Sequence, residues 1–196
     1  MTRLLLASKS AARRRMLEAA GVPFETVDAD VDEKALKAQL AHLDAPALAR
    51  ALADAKALAV QAAPAALVLG SDQVLELEDG TVLSKAASRE ELADQLRRMS
   101  GRTHRLHSAA AIAQGRKIVW RGTESVALAM RPLSEEYICA YLEAEFEEVR
   151  WSVGGYHVEG RGVQLFERID GSHFAVLGMP LLTLLAYLRE RGMLAS

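Results

Sequence analysis

The sequence predicts an α/β protein, a mixed twisted sheet with flanking helices, bent into two lobes around a central cleft. Three observations carry this expectation. A short apolar run at 4–7 precedes a capped helical pattern and a second apolar run at 22–27, a strand–loop–helix–strand opening. The run at 66–69 is continuously apolar, as a strand covered on both faces requires. Two long strand patterns, 105–113 and 117–130, meet around Gly115 as an antiparallel pair.

Each element has its own signal. Ser10 is placed to cap a helix over 11–20, with Met16, Leu17 and Ala20 spaced toward the core and Gly21 to stop it. Asp44 and Pro46 start a helix over 46–62, with Leu48, Leu52, Ala55 and Ala59 on one side and Pro64 as its boundary. The strand at 66–69 ends in Gly70-Ser71-Asp72. Residues 74–77 and 81–83 form a hairpin about Glu78-Asp79-Gly80. The capping box Ser88-Arg89-Glu90-Glu91 opens a helix over 89–99 that ends at Ser100-Gly101, and Ser134 caps another over 135–147. Residues 151–153, 162–169 and 175–177 read as short strands or extended loops. An amphipathic helix over 181–191 closes the chain before Gly192. With no repeat or flexible linker, residues 1–196 read as a single domain.

Composition bounds the function classes. A chain of 196 residues, 51% hydrophobic and 26% charged, can bury a large core without disulfides. Its net charge of −2 argues against broad binding to a nucleic-acid backbone. Cys139 is the only cysteine, so no intramolecular disulfide forms; it lies in a helical pattern and reads as a small buried filler. The opening apolar run is too short for a signal-peptide core or a membrane span, so cytoplasm is the expected location and no membrane partner is expected.

The candidate chemistry is that of an anion site. Ser8, Lys9 and Ser10 stand at a strand end before free helix N–H groups, with Arg13 in the first turns; an ordinary helix cap with solvated arginines is the alternative. Asp72 follows the expected central strand, where open α/β folds place ligand-binding groups; a solvated strand-end or turn aspartate is the alternative. Glu33 ends the acidic run Asp28, Asp30, Asp32, Glu33; such runs are usually solvated, but one member turned inward could hold magnesium. Lys85 follows the hairpin, and Glu159 lies among four glycines between Gly154 and Gly162. No HExxH, Cys/His set or G-x-S-x-G occurs, which disfavours zinc and serine chemistry. His104 and His107 cannot face the same way on a regular strand.

Together LLLASKS, DVDE, LADAKA, GSDQVL, SGRTH, LFERIDG and LGMPL, in that order, resemble the Maf family of nucleotide pyrophosphatases, related in fold to the inosine-triphosphate pyrophosphatase superfamily. The resemblance implies hydrolysis of a nucleoside triphosphate to monophosphate and pyrophosphate by metal-assisted water attack. It implies Asp72, Glu33 and Lys85 as catalytic groups, with Mg2+ (or Mn2+) on Glu33 and Asp72. Ser8, Ser10, Arg13, Lys56, Gln73 and Glu159 would bind substrate. Gln73, Glu159 and VQLFERIDG are closest to the branch described as hydrolysing 7-methyl-GTP. A homodimer is the expected assembly, with no interface named. The chain departs from S-x-S-P-R-R at Ala11 and Ala12, and Ala86 stands where a proline follows the lysine. A nucleotide-binding homologue with weak turnover is therefore the alternative.

Overall fold

A computed structural model describes residues 3–195. In chain order the elements are β1 (Leu4–Ala7), α1 (Ala11–Ala19), β2 (Glu25–Val27), α2 (Glu33–Gln39), α3 (Ala45–Ala59), β3 (Leu67–Glu76) and β4 (Val82–Leu83). There follow α4 (Arg89–Met99), β5 (Thr103–Gln114), β6 (Lys117–Met130), α5 (Glu135–Val149), a 3-10 turn (Arg161–Leu165), β7 (Phe166–Asp170), α6 (His173–Val176) and α7 (Leu181–Glu190). The sheet is mixed, as expected, with strand order β2-β1-β3-β5-β6-β7 and β4 paired to β3. β1 runs parallel to β2 and β3, whereas β4 and β7 run antiparallel to their partners. No helix among the described residues is long and apolar enough to cross a membrane.

The chain divides into two compact units. The first holds the chain up to Gln73, His107–Ser125 and the chain from Ser172; the second holds Val74–Leu106 and Val126–Gly171. In the first unit, Leu4 and Leu6 of β1, Leu67 and Leu69 of β3, Leu17 of α1 and Leu184 of α7 share one core. Trp120 stacks on Tyr187 with ring centroids 5.5 Å apart. α3 lies hard against β3 at Gly70, where a Cβ would stand 2.3 Å from Ala53 O and 2.5 Å from Ala57 N. Only a glycine allows that approach.

In the second unit α4 packs on α5. Gly154 and Gly155 take φ of +81° and +67°, and Gly155 seats Leu92, whose Cδ1 would lie 2.2 Å from an added Cβ. His104 is buried there with Nε2 2.7 Å from Tyr156 Oη, beside Phe166, and its Nδ1 has no partner. Burial lowers the imidazole to about 4 and raises the Tyr156 phenol above its ordinary value.

Several expectations need correction. β3 does not stop at residue 69 but continues to Glu76, so Asp72 is inside a strand. Its parallel neighbour β1 ends opposite Gly70, which leaves Asp72 two residues past the parallel pairing. Residues 22–24 lie outside β2, and Ala20 is exposed. The buried face of α3 is Leu48, Ala49, Leu52, Ala53, Lys56 and Ala57, without Ala55 and Ala59. α2 was not expected: Asp32 Oδ1 caps it by accepting from Ala35 N at 3.0 Å, so one acidic residue begins a helix instead of joining a solvated run. Residues 173–176 are helical and 161–165 form the 3-10 turn. Cys139 is exposed, because α5 buries Ile138, Tyr141, Leu142 and Val149 and turns position 139 outward. His104 and His107 are three apart on β5, so they face opposite ways, and both are buried because the strand is covered on both faces.

Two measurements follow. Gly70→Ala is expected to lower unfolding stability by about 3 kcal/mol through overpacking of α3 on β3, read from urea unfolding; an unchanged midpoint would mean that α3 yields. His104 is neutral in both states above its ordinary 6.5, and its folded value is about 4. As pH falls from 6.5 the unfolded chain takes the proton first, so stability erodes until about pH 4, by a total on the order of 3 kcal/mol. His104→Gln should flatten that part of the stability–pH curve; parallel curves for the two proteins would exclude His104 as the cause.

Candidate active site

The first loop of the first unit folds on its own hydroxyls. Ser10 is the N-cap of α1, its Oγ accepting from Arg13 N at 3.4 Å, and Ser10 N donates to Ser8 Oγ at 3.2 Å. Arg13 turns inward and is only 8% exposed. Its Nε donates to Gly178 O at 2.9 Å and its Nη1 to Ser8 Oγ at 3.3 Å. Burial lowers the Arg13 pKa from its ordinary value, while Asp72 and then Glu33 act in the opposite direction. The group stays charged, because an arginine starts so far above neutral pH.

Lys56 projects from α3 onto β3. Its Nζ lies 2.6 Å from Asp72 Oδ1 and 2.8 Å from Glu33 Oε1, so one ammonium joins carboxylates from two elements. Lys56 is 8% and Asp72 5% exposed, whereas the Glu33 side chain is 43% exposed. Gly70 permits this geometry, since anything larger would push α3 off the strand that carries Asp72. Asp72 Oδ2 is buried with no hydrogen-bond partner. That atom is an acceptor held in place without a partner.

Alternation along β3 divides its polar residues between two faces. Gly70 and Asp72 meet α3. Ser71 and Gln73 meet the other side, where Gln73 Nε2 reaches Ser108 Oγ at 3.0 Å and the carbonyls of Ala175 and Val176 at 2.9 Å each. Ser71 Oγ lies 2.8 Å from Ala109 O and 3.0 Å from Gly178 O. Sequence reasoning missed Ser71, Ser108 and Gly178. The available signal was a hydroxyl inside each apolar strand run and a glycine before Met179-Pro180.

The structure thus brings together Ser8, Ser10, Arg13, Glu33, Lys56 and Asp72, with Gln73 adjoining on β3. Lys85 and Glu159 belong to the second unit and are exposed on it. Lys9 and Arg14 pair with Asp28 at 3.4 Å and Glu18 at 3.8 Å, all with exposed side chains. With Ser8, Ser10 and Thr26 they line a surface cavity of about 290 Å³.

The donor set suits a hard divalent cation of modest demands. Among the described residues no group of three or more His, Cys, Asp and Glu is arranged to enclose a metal. Magnesium needs no such cage: it binds through one or two carboxylates, waters and substrate phosphates. The unpartnered Asp72 Oδ2 and the half-exposed Glu33 supply carboxylate oxygens of that kind.

The profile of the family described as Maf-like protein matches residues 3–191. The chain is 46% identical over 193 residues to the "Nucleoside triphosphate pyrophosphatase" of Sphingopyxis alaskensis, covering 97% of this chain and 98% of that protein. It is 48% identical to "Nucleoside triphosphate pyrophosphatase 1" of Jannaschia sp., covering all of both chains over 198 aligned residues. A third relative of the same description, from Caulobacter vibrioides, is 43% identical, with 99% and 98% covered. A match over nearly the whole chain, by profile and by relatives alike, makes this protein a member of the Maf-like family.

Proposed function

We propose that the cluster of Arg13, Lys56, Asp72 and Glu33 binds a nucleoside triphosphate and directs water onto its α-phosphorus. The products are the nucleoside monophosphate and pyrophosphate. The chain is an enzyme of the nucleoside triphosphate pyrophosphatase kind; the roles of its residues and its preferred base are the proposal. The carrying observation is Asp72, with Oδ1 fixed on Lys56 and Oδ2 buried and open.

Asp72 Oδ2 accepts the proton of the attacking water as its oxygen bonds to the α-phosphorus. The bond from that phosphorus to the bridging oxygen breaks, and its electron pair leaves on pyrophosphate. Arg13 and Lys56 stabilise the phosphoryl oxygens as charge moves toward the leaving group. Ser8 and Ser10 line the phosphate side. Glu33 and Asp72 would hold Mg2+ or Mn2+, which when bound polarises the phosphates and offsets their charge. The family resemblance also assigns a catalytic role to Lys85 and a substrate-binding role to Glu159, both residues of the second unit. By the same resemblance Glu159 and the 163–171 segment support 7-methyl-GTP as the preferred nucleotide, whereas the Gln73 amide is turned to Ser108 and the carbonyls of Ala175 and Val176. Ala12, in place of an arginine, favours a second reading, a nucleotide-binding homologue with weak turnover.

The test is a magnesium-dependent panel of 7-methyl-GTP, UTP, dTTP and CTP, scored for monophosphate and pyrophosphate. Pyrophosphate in equal yield with monophosphate is expected, and Asp72→Asn should lower kcat by about 10²–10⁴-fold through loss of the proton acceptor. Release of inorganic phosphate alone, or an Asp72→Asn enzyme as fast as wild type, would sink the mechanism. Tight binding without turnover would select the second reading.

A further inference from the structure

The turn after α6 is held by side chains from the middle of the sheet. A helix leaves its last carbonyls without intrahelical partners, and buried ones need others. Ala175 O accepts from Ser108 Oγ at 2.6 Å and from Gln73 Nε2 at 2.9 Å; Val176 O accepts from the same amide at 2.9 Å. Two residues on, Gly178 O takes Arg13 Nε at 2.9 Å and stands 3.0 Å from Ser71 Oγ. Gly178 has φ of +103°, and an added Cβ would lie 3.2 Å from Arg13 Nη2 and 3.3 Å from Nε. The backbone conformation favours glycine, and a Cβ there would crowd the Arg13 guanidinium.

These contacts form one chain of cause. β3 and β5 fix the turn, the turn aims a carbonyl, and the carbonyl fixes the edge of a guanidinium. Ser8 Oγ holds Nη1, so the plane of Arg13 is set from two sides. A planar fork held at one edge presents its remaining N–H groups in a fixed direction, which lowers the entropy lost when an anion binds.

We propose that Gln73, Ser108, Ser71 and Gly178 are positioning residues that orient Arg13 toward the substrate phosphates. This rests on the reading of Arg13 as a phosphate ligand. It gives Gln73 a role independent of the base: the amide nitrogen acts through the turn and Arg13, and every nucleotide feels it equally.

Isothermal titration with inorganic tripolyphosphate and magnesium reads this directly, because that probe carries no base. Gln73→Met, which keeps length and removes the donor, should weaken binding about tenfold. In an Arg13→Ala background the same change should add less than about twofold, since the two residues act as one unit. Turnover should fall in kcat/KM by one factor for 7-methyl-GTP, UTP and dTTP alike. Ser108→Ala is the milder companion if Gln73→Met fails to fold by circular dichroism, with an expected weakening of about threefold. Unchanged tripolyphosphate affinity, full additivity with Arg13→Ala, or a loss confined to one base would overturn the proposal. If Arg13→Ala itself leaves affinity unchanged, the phosphate reading falls and takes this inference with it. If Arg13→Ala weakens binding and Gln73→Met does not, the inference alone fails.

Discussion

The polar interior of the first unit depends on one ammonium shared by two carboxylates. A buried charge without a partner costs several kcal/mol, and a single surface pair would not offset it. Lys56 meets Asp72 from the strand beneath it and Glu33 from the first residue of α2, at 2.6 and 2.8 Å. The pairing is incomplete in one respect: Asp72 keeps a buried oxygen with no partner. A buried ion pair is weak evidence of stabilisation in general. On the proposed reading the missing contact is what gives the pair chemical use, since the unpartnered atom is an acceptor whose position Lys56 fixes.

That arrangement rests on small residues. The face of α3 toward the sheet carries Ala49, Ala53 and Ala57 beside Leu48 and Leu52, and the strand answers with Gly70. The helix therefore approaches until Ala53 O occupies the space a Cβ would need. A lysine stem on such a helix lies along apolar surface while its head reaches the strand's next residue on that face after Gly70, Asp72. On the opposite side of β3, Ser71 and Gln73 hold carbonyls instead of charges. One strand thus places an acid on one face and hydrogen-bonding groups on the other, by period-two alternation alone.

The sequence displayed those parts that depend on neighbours along the chain. Ser10, Asp44, Ser88 and Ser134 all cap helices, because a cap is a contact over three residues. The hairpin turn at Gly80, with φ of +82°, was legible for the same reason. Asp72 and Arg13 are legible from their places at a strand end and in a helix-capping loop, whereas Lys56 is legible only through the ordered motifs and Glu33 otherwise reads as one of a solvated acidic run. What could not be read is what long-range pairing decides. β3 looked finished at Gly70-Ser71 because glycine and serine punctuate strands locally, yet close packing by α3 is the reason for the glycine. The turn at 175–178 read as extended, since a four-residue helix held by Gln73 and Ser108 from 67 to 103 positions away leaves no local pattern. Cys139 was misplaced by a single step around a helix, where Ile138 and Cys139 differ by about 100°.

Charge balance bears on the missing arginine. Arg13 and Lys56 carry two positive charges and Asp72 and the half-exposed Glu33 two negative ones, so the cluster is formally neutral before substrate arrives. On the proposed reading a triphosphate adds several negative charges, and Ala12 supplies none of the compensation an arginine would. Two other cations stand near the same loop. Lys9 and Arg14 share a surface cavity with Ser8 and Ser10, and their partners Asp28 and Glu18 are exposed. Exposed pairs of that kind are worth about 0–1 kcal/mol, so a phosphate can displace either carboxylate at little cost. They are exposed cations, however, without the two-sided restraint that fixes Arg13. Substituting them for a buried arginine keeps attraction and loses orientation. On the same reading the remaining charge would fall to a divalent cation on Asp72 and Glu33, and metal dependence would follow from the cluster's neutrality.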